Sequence, residues 1–484
     1  MANSNRIYNE TKFGSILCKT FILILAIFTL YLIYLNLWYS AEYNEFIYAI
    51  ILIPVFAVAC LIAYKINIKP LAFAVTIFVL AFLFKSILIL MTDTKPVSDF
   101  NTFYQNAINL LNGDKSFGHT FYFKTWAYQT GPVIYYSAIM KLFGTAILPL
   151  KLVNCFFMAG SNALIYLIAR KISNDYTARF VSLSYLIYPA PYFLAGVLTN
   201  QHFAACMFLL AVYILLIEKL NWGVRGIVAG VIMSLGNAVR PLGIVIIAAT
   251  MLWGLIELIR YKKVAKIGMI VLMVLTYFLV NLGISTVVKK TDVNPEGLAN
   301  NFPIWKFVVG FNYNTKGQFS FEDQNKIFNI GDFDKRNTVA KQVVKERLSI
   351  GPQKLADLLN KKQIAMWAGT DTLRWGFYDQ KNGDLVPSKD LKKIEPLILG
   401  IEKIYYILIF LLMFLGLCKV FCNGRVNSGV MLILLILSCY FGAHIFIEIQ
   451  VRYRYFAVIL VFILAAKGCE IIFSRFRKYK KKYA

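Results

Sequence analysis

The sequence predicts an all-α integral membrane protein of about twelve transmembrane helices, and three observations carry that prediction. Hydrophobic residues make up 59% of the 484 positions. They gather in repeated apolar runs of about 20 residues, the length a helix needs to cross a hydrocarbon core of about 30 Å. Between the runs, short Lys/Arg-rich segments recur on alternate sides of the predicted topology, as the positive-inside bias of cytoplasmic loops requires.

Clear spans run near residues 16–38, 46–64, 70–91, 147–169, 178–196, 201–218, 265–288, 397–418, 429–447 and 455–473. The first, Ile16 to Trp38, is longer than a signal-peptide core and no small-residue cleavage site follows it, so it is expected to stay as a helix. The run Pro132 to Phe143 would reach only about 18 Å as a helix and is read as an interfacial segment lying on the outer surface. Val224 to Ile259 would be about 54 Å as one helix, too long for one crossing, and Arg240-Pro241 interrupts it. It is therefore read as two short spans with Arg240 at the turn.

Charge bookkeeping fixes the parity. With the N-terminus inside, the cytoplasmic segments hold Lys65 and Lys69, Arg170, Lys171 and Arg179, Lys219 and Arg225, the Arg260 to Lys266 cluster, Lys419 and Arg425, and the tail Arg475 to Lys482. A single crossing over 224–259 would invert everything after it and turn that tail outward. Both termini are thus expected in the cytoplasm, with residues 92–146, 197–200, 240–241, 289–396 and 448–454 outside. The expected organisation is two additional N-terminal helices over 1–69 and a core over 70–288 that includes the outer loop 92–146. An extracytoplasmic loop or small domain over 289–396, three last helices over 397–473 and a basic tail over 474–484 complete it. The 289–396 segment carries the turn signals Asn294-Pro295, Gly351-Pro352 and Asn382-Gly383, and one stretch of helical character from Thr338 to Leu359. It closes on the aromatic-rich run Met366 to Trp375. No internal repeat points to a transporter built from inverted halves.

The formal charge of +26 sits largely in short segments beside apolar runs, which suits topology and anionic headgroups and not nucleic acid. The eight cysteines lie in the spans or at their cytoplasmic ends and imply no disulfide framework, and Cys418 and Cys422 lack the partners a zinc site needs.

The rare ionisable residues collect at the outer ends of the spans. Asp99, after the third span, reads equally as a partly desolvated general base and as the N-cap of a helix beginning at Phe100. Asp93 is a weaker candidate beside it. Arg240, at the end of an apolar hairpin, needs a counter-charge, and a phosphate would meet that need through the bidentate guanidinium fork, as it would at Arg452. The bland alternative for each is an interfacial snorkelling arginine. If the last outer turn continues the helix, His444, Glu448 and Arg452 share one face, where a Glu448–Arg452 pair would join the final spans and His444 would pack. No HExxH or clustered His/Cys pattern is present, so no metal ligand is assigned; a divalent metal stays open.

These residues stand in an order that resembles the GT-C class of membrane glycosyltransferases, in particular bacterial relatives of protein O-mannosyltransferases and of the lipid A aminoarabinose transferase. The likeness runs from about Ala72 to the C-terminus. It comprises Asp99 after an early span, Tyr128-Gln-Thr-Gly-Pro-Val-Ile-Tyr-Tyr136 with Lys141-Leu-Phe-Gly144, Leu167-Ile-Ala-Arg-Lys171, Tyr188-Pro189, Gly226-Ile-Val-Ala-Gly230 leading to Val239-Arg-Pro241, and the closing Arg452-Tyr453. The resemblance implies transfer of a sugar from a polyprenyl-phosphate donor to an extracytoplasmic acceptor at the outer face of the bilayer, with inversion at the anomeric carbon. It places Asp99 as the base or acceptor-orienting group and Arg240 and Arg452 near the donor phosphate; Asp93, Gln129, His202, His444, Glu448 and Tyr453 are the candidate supporting or substrate-binding residues. Two departures stand out. Thr199-Asn-Gln-His202 occupies an outer turn where relatives often carry an acid, and the two N-terminal helices fall outside the pattern. A lipid-linked glycan polymerase or ligase is the closer rival and a flippase the more distant one, since a transporter would place its charges near the midplane.

Overall fold

The computed structural model describes residues 10–42, 45–262, 264–381, 384–424 and 426–483, the last nine as backbone only. The expected turn at Asn382-Gly383, Lys263, Arg425 and the side chains of the basic tail lie outside the described residues. Every stretch read as a span is helical. The chain runs through α1 (Lys12–Glu42), α2 (Ala49–Lys65), α3 (Pro70–Leu90), α4 (Ser98–Leu111), α5 (Phe121–Thr125), α6 (Thr130–Phe143) and α7 (Ile147–Ile172). It continues through α8 (Asp175–Ile187), α9 (Ala190–Phe193), α10 (Gln201–Leu215), α11 (Trp222–Val239), α12 (Gly243–Tyr261) and α13 (Val264–Lys290). Four short helices follow, α14 (Trp305–Gly310), α15 (Phe321–Phe328), α16 (Phe333–Leu348) and α17 (Pro352–Gln363), then α18 (Arg374–Phe377) and the long α19 (Lys389–Asn423), α20 (Ser428–Phe446) and α21 (Tyr455–Tyr483). One two-stranded antiparallel ribbon, β1 (Asp379–Lys381) with β2 (Asp384–Val386), is the only sheet among the described residues.

Ten of these helices are long and apolar enough to cross a membrane among the described residues. The two expected spans missing from that set are shorter than the sequence suggests. The span at 178–196 ends at Ile187, because Tyr188 precedes Pro189 and takes an extended ψ of 125°. The span at 201–218 is the 15-residue α10. Leu71, Leu279 and Leu282 are 75%, 67% and 65% exposed on helix faces that carry no polar cover, surfaces suited to lipid chains. The protein is an integral membrane protein.

Two further expectations need correction. The helical stretch at 338–359 is two helices, α16 and α17, separated at Gly351, whose φ of +93° no L side chain adopts readily and which presents Pro352 as the first residue of α17. The 444–452 face does not exist: α20 stops at Phe446, Ile447 is extended, and Glu448 and Arg452 lie in a turn beyond the helix.

The region between Arg240 and Pro241 behaves as read. Arg240 takes the extended φ, ψ of −146°, 115° that a residue before proline favours, and α11 and α12 leave the turn as separate helices. The bundle therefore has two ends that its contacts identify. At one, Arg260 pairs with Glu10 and Glu257, and Lys266 with Glu257. At the other, the Arg240 turn, the loop before α6, the 291–388 segment and the α20–α21 turn meet. Part of that segment has its own small core of Phe302, Trp305, Val308, Val309, Ile327, Ala340 and Val343.

The N-terminal helices are built into this frame. Asn36 of α1, 1% exposed, donates to the Trp367 carbonyl at 3.0 Å and accepts from Lys403 of α19 at 2.6 Å, joining α1, α19 and the end of the 291–388 segment. Replacing it leaves buried polar partners without a match. We expect Asn36→Leu to cost about 1–3 kcal/mol and to lower the thermal midpoint in detergent; an unchanged midpoint would show that α1 is not held by this residue.

Candidate active site

The site grows from four chain segments that the fold brings to one end of the bundle. The first is the α11–α12 turn. Arg240 Nη1 donates to Asn200 Oδ1 at 2.8 Å, and Asn200 in turn donates to the Val239 carbonyl at 3.0 Å. The amide orients the guanidinium without neutralising it. Burial lowers the Arg240 pKa from its ordinary value, and the nearby Arg452 charge acts in the same sense.

The second is the turn from Ile447 to Arg454. Arg452 Nε donates to Gln450 Oε1 at 2.7 Å, and its guanidinium carbon lies 5.2 Å from the Phe100 ring centre and 5.9 Å from that of Tyr453. Arg240 lies 5.4 Å from the same Tyr453 ring. The two arginines predicted to cooperate thus flank one tyrosine, although 212 positions separate them in the chain.

The third segment was invisible in the sequence. Lys306, on α14, pairs with Glu448 Oε2 at 2.5 Å, and Gln450 Nε2 reaches Glu448 Oε1 at 3.0 Å. A continuous polar chain, Lys306–Glu448–Gln450–Arg452, results. Glu448 therefore serves Lys306 and not the Arg452 partner expected of it. Burial alone would raise the Glu448 carboxyl, but Lys306, Gln450 and Arg452 hold it below the ordinary glutamate range. Burial likewise opposes the Lys306 ammonium, yet Tyr453, Glu448 and Tyr128 raise its pKa above the ordinary lysine value. The backbone closes the same junction. Glu448 and Ile449 donate to the Lys306 and Gly317 carbonyls, each at 2.9 Å. Lys362 sends its ammonium to the carbonyls of Gly310, Ile445 and Ile447 at 2.8–2.9 Å, with burial pushing its pKa down to about 8. Close approach here requires a glycine, because a Cβ on Gly310 would fall 2.3 Å from the Phe446 carbonyl oxygen.

The fourth segment holds the predicted motif at Tyr128. Gly131 lets it sit on the end of α11, since a Cβ there would come within 1.7 Å of the Ala238 oxygen. Tyr128 consequently lies among Lys306, Tyr453, Glu448 and Arg240. Next to it, the Tyr122 hydroxyl neighbours both Asp99 and Gln129; burial and then the Asp99 charge raise its pKa well above the ordinary tyrosine value. Asp99 sits half-buried in the first turn of α4. Val97 is the N-cap there, and no side chain caps the helix, so the carboxylate is not used as a cap. Phe100, the next residue, is the ring beneath Arg452.

The other predicted residues divide. Asp93 is exposed beside Lys151 and away from the arginines. His202 is buried, with Nδ1 on the Tyr455 hydroxyl at 3.1 Å and Nε2 on the Leu194 carbonyl at 3.0 Å. Both nitrogens are engaged, and it holds helices together. His444 bonds the Tyr440 carbonyl at 2.9 Å and packs on the Tyr440 ring. Among the described residues no group of three His, Cys, Asp or Glu side chains is placed to hold a metal ion.

Glu448 pairs with Lys306, and neither Arg240 nor Arg452 forms an ion pair with a carboxylate among the described residues. That is a site for an anion with two or more acceptor oxygens. Beside Arg240 a small cavity is walled by Ala204, Ala205, Phe208, Leu242 and Phe456 together with Gln201, Tyr440 and Tyr455. Because the Glu448 pKa is lower folded than unfolded, its contribution to stability is complete above the unfolded value of about 4.3 and fades as pH falls through the folded value. The melting difference between wild type and Glu448→Gln should accordingly be constant above about pH 5 and close in acid; a difference that widens in acid would contradict the pairing.

No family model and no curated protein matches the chain. Among solved structures, the archaeal oligosaccharyltransferase AglB from Archaeoglobus fulgidus, in complex with an inhibitory peptide and a dolichol-phosphate, matches with a TM-score of 0.50 at 13% identity. The match covers 84% of this chain and 51% of that one, so the chain spans about half the length of the oligosaccharyltransferase. ArnT from Cupriavidus metallidurans, bound to undecaprenyl phosphate, is aligned over 83% of this chain and 77% of its own at 12% identity, with a TM-score of 0.33. The helical architecture and the match to AglB give this chain the fold of the matched half of that oligosaccharyltransferase, in keeping with the GT-C resemblance of its sequence.

Proposed function

We propose that the protein transfers a sugar from a polyprenyl-phosphate carrier to a hydroxyl-bearing acceptor at the extracytoplasmic surface of the plasma membrane, with both termini in the cytoplasm. The observation that carries the reading is the pair Arg240 and Arg452 around Tyr453, uncompensated by carboxylates and beside a largely apolar cavity. A lipid phosphate needs both features at once. Its oxygens take the two guanidinium groups while the first isoprene units enter the space between α10, α12 and α21. Lys306 adds a third cation, tempered by Glu448.

In the reaction the acceptor oxygen attacks the anomeric carbon from the face opposite the phosphate. The new glycosidic C–O bond forms as the anomeric C–O bond to phosphate breaks, and the configuration inverts. Asp99, the half-buried carboxylate on the helix beneath Arg452, takes the acceptor proton. Arg240 and Arg452 stabilise the extra negative charge on the departing phosphate, with no reorganisation because Asn200 and Gln450 already hold them. Tyr122 and Gln129, beside Asp99, orient it. The segment 289–396 is the proposed acceptor-recognition element, a small extracytoplasmic domain.

Purified protein with labelled polyprenyl-phosphate sugars tests this. Asp99→Asn should insert and melt like wild type yet lose transfer by at least about 100-fold; full activity would exclude its role as base. Arg240→Ala should raise the KM for donor by about tenfold or more while moving that for acceptor little. Equal effects on both substrates would exclude donor-phosphate binding.

A further inference from the structure

A second cleft adjoins the first across Tyr455, which lines both, and Arg452 stands in its wall. It is a small cleft open to solvent, and its walls include Asp371, Arg452, Arg454, Tyr188, Tyr455 and Val458. Its chemistry differs from that of the cavity beside Arg240. Arg454, 2% exposed, donates Nη2 to Asp371 Oδ2 at 2.7 Å and Nη1 to the Gly369 carbonyl at 3.0 Å, and lies 3.6 Å from Glu402. Tyr188 gives its hydroxyl to Glu402 at 2.5 Å. Asp371 is thus clamped by one oxygen, while Oδ1 accepts no hydrogen bond from the described residues at the rim of the cleft. Two more polar atoms in this cluster, Arg454 Nε and Glu402 Oε2, are buried without a partner.

We propose that this cleft is the subsite for the donor's sugar ring, with the free oxygen of Asp371 accepting a ring hydroxyl. The inference rests on the assignment of Arg240 and Arg452 to the donor phosphate. A group in this cleft touches Arg452 and is therefore one bond from that phosphate. It is not the phosphate itself, because a fixed carboxylate repels an anion. Nor is it the isoprenoid stem, which would strand the Asp371 oxygen against hydrocarbon when a more apolar cavity lies beside Arg240. A neutral hydroxylated ring satisfies both walls: its hydroxyls donate to Asp371 and its C–H faces lie against tyrosine rings. The Arg454–Glu402 pair fixes the carboxylate in advance, so little ordering is needed on binding. A site built to hydrogen-bond a hydroxyl discriminates strongly against a substrate lacking it, which makes Asp371 a specificity residue for the sugar.

Binding to the full-length protein in nanodiscs decides the matter without turnover. The probes are a short-chain isoprenoid monophosphate, its methyl phosphodiester, and the phosphodiesters carrying a panel of hexoses, N-acetylhexosamines and pentoses. The methyl ester has the charge of the sugar conjugates without the ring. At least one sugar conjugate should bind wild type about tenfold more tightly than the methyl ester. Asp371→Asn should erase that increment while the variant still binds the methyl ester, which also shows that it is folded. Asp371→Glu, which keeps the charge for Arg454 but fills the cleft by one methylene, should erase it as well, and it decides the case if the asparagine variant does not fold. No increment in wild type, or one that survives either substitution, overturns the sugar subsite while the phosphate reading stands. Failure of every probe to bind, the bare monophosphate included, rejects both.

Discussion

The arrangement depends on how the turn between α20 and α21 is held. A turn of eight residues carrying Glu448, Arg452 and Arg454 buries Ile449 in the core, and one buried side chain is little to keep it in one conformation at the end of an apolar bundle. Three cations do that work, two from outside the turn and one within it. Lys362 gathers the last carbonyls of α20, which have no helical partner of their own. Lys306 takes Glu448, and Arg454 locks onto Asp371 and Gly369. Lysines at a helix C-terminus meet the negative end of its dipole, so the same electrostatics that fixes the turn also explains why the segment bearing Lys306, Lys362 and Asp371 docks there.

That docking links scaffold and chemistry. The long helices supply an interior in which α20 and most of α21 are buried, and that rigidity is transmitted to the site only where polar contacts bridge from helix ends to the connecting segments. The bridges are few and specific. Asn36 reaches the Trp367 carbonyl, Asn200 reaches Arg240, and Glu448 reaches Lys306 over an interval of 142 residues. Each buried polar group has one good geometry, because an unmade bond in a dry environment costs more than a made one returns. The two glycines, Gly131 and Gly310, permit the close backbone approaches on which these bonds depend.

The sequence made the scaffold legible and the site only in part, for identifiable reasons. Span positions follow from hydropathy and a fixed bilayer thickness, and the break at Arg240-Pro241 follows from proline chemistry, so both were readable. Helix lengths next to Tyr188-Pro189 were overread because hydropathy persists through a break that backbone geometry imposes. The predicted 444–452 face failed for the opposite reason: helical spacing says nothing about where the helix stops, and tertiary contacts from Lys306 and Gly317 end it at Phe446. Lys306 had no signal at all, being one lysine among many in a mixed-charge segment, with its partner far along the chain. Tyr128 did have one, the Tyr-Gln-Thr-Gly-Pro motif, and the need of Gly131 to pass the end of α11 gives that motif its physical content.

Arg452 and Arg454 show what spacing cannot decide. They are two residues apart in the same turn and indistinguishable by type, yet one is a structural cation and the other is not. Arg454 is enclosed and faces two carboxylates, Asp371 and Glu402, so its charge is spent inside the protein. Arg452 and Arg240 hydrogen-bond to amides and lie against aromatic rings, contacts that orient a guanidinium without cancelling it. An aspartate at position 200 would have turned Arg240 into a second Arg454. The asparagine found there keeps the hydrogen bond and omits the charge, and it is this omission, at a turn where an acid was expected, that leaves the end of the bundle electrostatically incomplete until an anion arrives.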